Sequence, residues 1–322
     1  MRAAIESWLT RRWYGDAAPG LGLRALAGIH RLLALTQKST AAERIPVPVL
    51  VVGNFTAGGT GKTPLVIALA SYLSTRGFRP GIVTRGHGRR AASPMRVSDS
   101  TPAESCGDEP KLMFERTRLP VLVDRDRAAA ARAAVAAGCD LVIADDGLQH
   151  RRLARDVEIE VVDGERGYGN GLLIPAGPLR EAPRVCDFRV VNGDAPKAGG
   201  WSMHLRLTDA VSLEDPQQLK ALSQLASSPV HAVAGIGNPA RFFKALRGAG
   251  LEIIEHGFED HHPYSIQDFS GMTGPILMTE KDAVKCGGLG LKDAWAVPVE
   301  AELSPGFFEA VEEKLRQHHA RT

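Results

Sequence analysis

With 322 residues, 44% apolar and 24% charged, the chain is long enough for two ordinary domains with real cores. A formal net charge of +2 is too small to mark nucleic acid as a partner, so any basic surface must be local. Cys106, Cys139, Cys186 and Cys286 lie far apart with no CxxC pair, which argues against a disulfide framework and a zinc site and fits a reducing cytoplasm.

The first residues, MRAAIESWLTRRW, lack the apolar core and small-residue cleavage site of a signal peptide. Leu21 to Leu35 reads LGLRALAGIHRLLAL and places its leucines and Ile29 broadly on one side of a helix. The stretch is too short and too charged to span a bilayer, which needs roughly 20 apolar residues. Together with Trp8, Arg11, Arg12, Trp13 and Tyr14 it could lie in a membrane interface, with rings at headgroup depth and arginines near lipid phosphates. An amphipathic helix packed on its own domain would have the same pattern, and both readings stand at this point.

Val47 to Thr63 reads VPVLVVGNFTAGGTGKT. The apolar, β-branched run stopping at Gly53 predicts a buried strand, and Pro64 followed by Leu65 to Leu69 predicts the start of a helix. Between them lies a glycine loop suited to phosphate. Glycines let backbone N–H groups converge on phosphate oxygens, and the helix N-terminus adds positive partial charge. Thr56, Ala57, Gly58, Gly59, Thr60, Gly61, Lys62 and Thr63 are the candidate nucleotide contacts. Lys62 would reach the β- and γ-phosphates, and the Thr63 hydroxyl would face a magnesium ion. The strict pattern GxxxxGK(S/T) asks for glycine where this chain has Thr56.

Gly81 to Thr84 is a short strand candidate, followed by Arg85-Gly86-His87-Gly88-Arg89-Arg90, a basic loop suited to gripping a substrate phosphate. Gly107-Asp108-Glu109-Pro110 opens a predicted helix, where acidic residues also serve as caps. Pro120 to Asp124 reads as a strand and the alanine-rich Arg125 to Ala137 as a helix. Asp140 to Asp146 is an apolar strand ending in two carboxylates. Adjacent acids repel unless a cation sits between them, so Asp145 and Asp146 join Thr63 as candidate metal ligands. Gln149 and His150 follow, with polar side chains that could support the acids or touch nucleotide.

Val157 to Asp163 predicts a further strand. Gly164 to Arg184 is an irregular loop containing LLIPAGPLREAP, and the composition near Gly193 to Gly200 suggests a linker. Beyond it Val230 to Ala234, Pro239 to Gly248, Ile253-Ile254 and Pro275 to Thr279 predict a second α/β set. FEDHHPY between these strands is a dense polar cluster, and adjacent histidines suit proton handling better than shared metal ligation. A helix begins near Ser304-Pro305 and ends in a basic tail.

Taken in order, GNFTAGGTGKTP, TRGHGR, GDEP, ADDGLQHRRLARD, LLIPAGPLREAP, FEDHHPY and TEKDAVK resemble the tetraacyldisaccharide 4'-kinase family of lipid A biosynthesis along nearly the whole chain. The resemblance implies a P-loop NTPase-type parallel sheet domain, a second, smaller α/β domain and an N-terminal amphipathic membrane-associated helix. It divides the chain into a membrane-associated segment 1–38, a kinase domain 39–198 on which a C-terminal helix 303–322 packs, and a smaller domain 199–302. It implies transfer of the γ-phosphate of ATP, with Mg2+, to the 4'-hydroxyl of a tetraacylated glucosamine disaccharide 1-phosphate. The setting would be the cytoplasmic face of the bacterial inner membrane, with no obligate protein partner. Asp108 matches the family's catalytic base and His261 its assisting histidine, beside Lys62. Arg85, Arg89, Arg90, Gln149 and His150 are candidate substrate contacts. Domain closure would bring His261 to Asp108. The rival reading is a membrane-associated P-loop ATPase switch, against which stands Ala57, where such switches carry a lysine. Lys281 and Asp282 are adjacent and so do not form the guanine-reading NKxD of a GTPase.

Overall fold

The computed structural model describes residues 2–15, 18–36, 41–87, 94–195 and 199–319. In chain order the elements are helices α1 (Arg2–Tyr14) and α2 (Leu21–Thr36), strand β1 (Val49–Gly53), helix α3 (Lys62–Thr75), and strands β2 (Pro80–Thr84) and β3 (Met95–Arg96). Helices α4 (Ala103–Cys106) and α5 (Asp108–Thr117), strand β4 (Val121–Val123), helix α6 (Arg127–Ala136), and strands β5 (Leu141–Asp145), β6 (Val157–Asp163), β7 (Phe188–Asn192) and β8 (Trp201–Leu207) follow. Next come β9 (Ala210–Ser212), β10 (Leu219–Lys220), β11 (Val230–Ala234), α7 (Pro239–Gly248), β12 (Ile253–Gly257), β13 (Ile276–Thr279) and α8 (Glu280–Cys286). The chain ends with β14 (Ala294–Val297), β15 (Val299–Leu303) and α9 (Phe307–His319). Two compact units are distinguishable. Met1–Thr84, Asp126–His204 and Leu303–Thr322 form the first, and Arg85–Arg125 and Leu205–Glu302 the second.

In the first unit the strands run in the order β8-β7-β6-β1-β5-β2. Each neighbouring pair is parallel. Strands covered on both faces read as unbroken apolar runs, and β1, β2 and β5 are buried at every position. The register sets Leu50 and Ile82 on either side of Ile143, and Val52 beside Asp145. The two carboxylates after β5 are thus carried to the end of β1 from which the glycine loop departs.

In the second unit the order is β10-β9-β14-β13-β11-β12, with β14, β13, β11 and β12 mutually parallel and β9 and β10 added antiparallel at one edge. One core gathers Phe242, Phe243 and Leu246 of α7 with Ala232, Leu277 and Trp295 of the sheet. Another gathers Val233, Met278, Tyr264 and Phe269.

The division differs from the sequence-derived boundaries in two places. Residues 85–125, expected with the glycine loop, belong to the second unit. The physical reason is ionic. Arg116 of α5 meets Glu280 of α8 at 2.6 Å, and Lys281 of α8 meets Glu109 of α5 at 3.3 Å. The glycine-rich stretch 193–200, expected as a linker, lies between strands that pair in parallel, and the chain remains in the first unit through His204. The boundary falls inside β8.

No helix among the described residues is long and apolar enough to cross a membrane. Helix α2 forms where its leucine periodicity predicts and leaves Leu21, Leu26 and Ile29 exposed, Leu21 at 84%. In α1, Trp8 is exposed with Arg12 lying over its ring at 4.4 Å. Trp13 and Tyr14, grouped with Trp8 as interfacial rings, turn toward the protein instead. The Trp13 indole N–H donates to the Pro175 carbonyl at 3.0 Å, and Arg166 stacks on the Tyr14 ring at 5.4 Å.

Ile143 is fully buried at the centre of the parallel sheet. Ile143→Ala should cost about 2–5 kcal/mol through lost burial and the residual cavity. The check is urea unfolding followed by far-ultraviolet circular dichroism, where the variant's first transition should move to lower urea.

Candidate functional site

The loop after β1 explains the tolerance for Thr56. Left-handed backbone is needed at Gly58, φ +111°, and at Gly61, φ +93°, which is also the N-cap of α3. Thr56 has no such need. It is buried and bridges antiparallel to Leu179, and the next residue's N–H, on Ala57, donates to the Pro178 carbonyl at 2.8 Å. A strand-like contact therefore stands where the strict motif has glycine. Thr60 is buried and its carbonyl accepts from the Asn192 amide at 3.0 Å, which ties the loop to β7. Gly59 and Gly61 complete the turn. Lys62 and Thr63 then open α3, where first-turn N–H groups lack helical acceptors and favour an anion.

The Lys62 ammonium donates to Asn54 Oδ1 at 2.9 Å and lies 3.4 Å from Asp146 Oδ1. Arg180 donates to both oxygens of Asp146, at 3.0 and 2.8 Å. Burial pushes the Asp146 carboxyl up, but Lys62 and Arg180 outweigh it and hold it well below the usual carboxylate range. The cations facing Asp146 are therefore protein side chains, so like-charge repulsion between neighbours does not by itself demand a metal there. Asp145 turns elsewhere. It is buried, its Oδ2 accepts the Thr84 hydroxyl at 3.1 Å, and its carbonyl accepts from Arg127 at 3.1 Å. Asp146 leaves the strand with φ +50°, a backbone that aspartate tolerates better than most residues and that re-aims its carboxylate toward Lys62.

Among the described residues no cluster of three or more His, Cys, Asp and Glu could hold a metal by itself. The Thr63 hydroxyl at the start of α3 and the carboxylates ending β5 are nonetheless hard oxygen donors of the kind magnesium takes when phosphates complete its shell. The set fits that ion. Gln149 donates to the Asn54 carbonyl at 3.0 Å and to Glu181 at 3.2 Å, so it supports the strand end and the loop carrying Arg180. The His150 N–H closes a turn on the Gly147 carbonyl at 2.9 Å.

The second unit assembles the other candidates. Gly107 has φ +99°, and a Cβ there would meet the His87 carbonyl oxygen at 2.8 Å, so only glycine lets Gly86 and His87 pack on this turn. The turn starts α5 with Asp108, which is 7% exposed. His261 Nδ1–H donates to Asp108 Oδ2 at 3.0 Å. Both residues lie in one unit and already touch, so the closure expected to join them is not required. His261 has φ +63°, and its N–H donates to the Gly235 carbonyl at 3.3 Å. Burial raises the Asp108 carboxyl, and the hydrogen bond from His261 with the charges of Lys285 and Lys281 brings it below the usual carboxylate range. His262 does something different. Its Nε2 lies 3.3 Å from Asp268 and its ring lies 4.7 Å from that of Phe258, a packing role.

Arg85 is exposed, and the His87 ring stands 5.5 Å from that of His261. Arg89 and Arg90 lie outside the described residues. Asn54, Arg180, Asp282 and Lys285 were not singled out from sequence as site residues, although each sits in a quoted motif. Motif membership was the available signal, since none has a periodicity or spacing of its own.

A strand, a glycine loop and a helix opening on lysine and threonine, set in a parallel sheet, define the class: an α/β protein with a phosphate loop. The chain belongs to the tetraacyldisaccharide-1-P 4'-kinase family, whose model matches residues 21–316. A tetraacyldisaccharide 4'-kinase of Xanthomonas euvesicatoria pv. vesicatoria is 48% identical over 332 aligned positions, covering 96% of each chain. Another, from Stenotrophomonas maltophilia, is 47% identical, covering 94% of this chain and 95% of the relative. The crystal structure of the "apo" form of LpxK from Aquifex aeolicus in complex with ATP matches in fold with a TM-score of 0.72 over 98% of both chains, at 24% identity.

Because the folded Asp146 titrates below its unfolded value, its ion pairs stabilise the protein above the unfolded value and the contribution is lost as pH falls through the folded one. Asp146→Asn should therefore melt below the wild type at pH 7, and the gap should close as pH drops below about 4. Differential scanning calorimetry across pH 3–7 checks this. A gap independent of pH would assign the loss to packing.

Proposed function

We infer that this protein is a lipid kinase that transfers the γ-phosphate of ATP to the 4'-hydroxyl of a tetraacyldisaccharide 1-phosphate. The relatives' shared name supports the substrate. The observation that carries the reading is the Asp108–His261 pair, a proton acceptor with its orienting histidine that a non-enzymatic nucleotide-binding module would not need.

A sugar hydroxyl is a poor nucleophile. Asp108, kept ionised at neutral pH, accepts its proton as the oxygen attacks phosphorus, and His261 keeps one carboxylate oxygen fixed. Lys62 exchanges its contacts with Asn54 and Asp146 for the phosphates, and the loop N–H groups orient them. Arg180 keeps Asp146 in place through that exchange. Phosphoryl transfer is mainly positioning and charge neutralisation, so the loop and Lys62 contribute the larger share. Thr63 and Asp145, with Asp146 beside them, are the residues that would hold magnesium, which when bound neutralises charge on the β- and γ-phosphates. Arg85, with Arg89 and Arg90, supplies cations for a phosphate on the lipid acceptor.

An acylated acceptor sits in a bilayer. The exposed Leu21, Leu26 and Ile29 of α2, with Trp8 and Arg12 of α1, support docking of the N-terminal segment on the inner-membrane surface from the cytoplasmic side.

The test is transfer of radiolabelled γ-phosphate to tetraacyldisaccharide 1-phosphate in mixed micelles with magnesium. Asp108→Ala should lower kcat about 10²–10⁴-fold, as loss of a general base does. Lys62→Ala should lower it roughly 10²–10³-fold through lost charge stabilisation. ATP hydrolysis without labelled lipid would sink the kinase reading in favour of the ATPase switch.

A further inference from the structure

The TEKDAVK stretch forms α8 of the second unit, and two of its charged side chains turn inward. Thr279 caps the helix, its hydroxyl oxygen accepting from the Asp282 N–H at 3.2 Å. Asp282 and Lys285 are three residues apart and share a face. Asp282 is completely buried, and its Oδ2 accepts the Gly235 N–H at 3.0 Å and the Thr279 hydroxyl at 2.6 Å. Its Oδ1 faces the Lys285 ammonium at 3.0 Å. The Lys285 side chain is 6% exposed, its Nζ lies 3.6 Å from Asp108 Oδ2, and it sits over the Tyr264 ring at 4.9 Å. Lysine stems ordinarily carry the ammonium out to water, so an inward one bears a desolvation cost that a purely structural contact need not incur.

We propose that Lys285 is a positioning residue for phosphoryl transfer: its ammonium, anchored by Asp282, holds the Asp108 carboxylate beside His261 as the proton acceptor. The role rests on the kinase reading given above. Among the described residues Lys285 is the lysine in ion-pair range of Asp108, and its Nζ has no directed hydrogen bond, so it acts as a fixed point charge.

The other groups around Asp108 do not replace it. His261 contacts Asp108 directly, has Asp260 3.8 Å from its Nε2, and has the His87 ring beside it. Lys281 is engaged by Glu109 at 3.3 Å and Asp260 at 3.2 Å, which hold its ammonium above the usual lysine range against the pull of burial. Cys106, just before the turn, is a neutral thiol, since burial pushes it up to about 11. The phenol of Tyr264 is likewise neutral, raised by burial and by Asp282. Without Lys285, the carboxylates of Asp108 and Asp282 would share a dry site with no cation between them, and Asp108 would keep its proton to higher pH.

The experiment compares full-length Lys285→Met, Lys285→Arg and Asp282→Asn with the wild type in three readouts. These are kcat and KM against pH with ATP and the tetraacylated lipid, carbon-13 NMR titration of the Asp108 carboxyl assigned with Asp108→Asn, and thermal unfolding. Lys285→Met should raise the Asp108 titration and move the acid limb of kcat upward by about one pH unit, a roughly tenfold loss below the limb, with KM for lipid little changed. Lys285→Arg should restore most of it, and Asp282→Asn should shift both the opposite way.

If Lys285→Met melts earlier but leaves the Asp108 titration and acid limb in place, Lys285 only holds the fold and the proposal is overturned. Should Lys285→Met fail to fold, an Asp282→Asn variant with unmoved titration overturns it as well. A wild type whose Asp108 titrates as expected but labels no lipid overturns the kinase reading, and the role in transfer with it, and is recognised by its intact titration response to Asp282→Asn.

Discussion

Asp108 loses most of its water on folding, and a carboxylate in that position stays ionised only if cations and donated hydrogen bonds replace the solvent. Much of the second unit follows from meeting that need. His261 donates from a loop held in left-handed backbone, and Lys285 and Lys281 approach from one short helix. That helix is in turn fixed by its Thr279 cap and by Asp282, whose own buried charge is met by Gly235 and Lys285. A further ion pair, Arg116 with Glu280, also ties α5 to α8 within this unit. Stability and the proposed chemistry therefore rest on shared contacts, since any weakening of the network frees the carboxylate that the reaction uses.

The first unit solves a related problem with the opposite bias. Its loop has to attract phosphate, so Lys62 must be fixed without being neutralised permanently. Asn54 Oδ1 and Asp146 hold it, and Arg180 shares the carboxylate. Two cations on one acid leave net positive charge beside the first turn of α3, which suits an incoming polyanion. The loop from 165 to 180 does double duty. Its Arg180 end reaches Asp146, its Pro178 and Leu179 brace Thr56 and Ala57, and its Pro175 carbonyl takes the Trp13 indole. Helix α1 is thus tied at its C-terminal end to the segment that braces the phosphate loop, while Leu21, Leu26 and Ile29 of α2 stay exposed.

Two of the described non-glycine residues with positive φ are Asp146 and His261. Each stands next to a residue of its own type, Asp145 or His262, and in each case the two neighbouring side chains take different directions. Asp145 goes to Thr84 while Asp146 goes to Lys62. His261 reaches Asp108 while His262 is spent on Asp268 and Phe258. Identical side-chain chemistry in adjacent positions is given different work by one backbone angle.

Local chemistry was legible from the sequence. Apolar runs rich in valine, leucine and isoleucine foretold β1 and β5, because strands buried on both faces favour apolar side chains along most of their length. Glycines before Lys62 foretold the loop, because only they adopt its backbone cheaply. The ordered motifs also named Asp108 and His261 as partners by resemblance. What the sequence could not show was which charges meet. Arg180 with Asp146, Lys285 with Asp108 and Arg116 with Glu280 are separated by many residues, and a charged side chain carries no periodicity that names a distant partner. The unit boundary inside β8 and the membership of residues 85–125 belong to the same class of fact. Propensity and patterning are properties of neighbours along the chain, whereas the pairing of buried charges is decided only when tertiary packing removes the water between them.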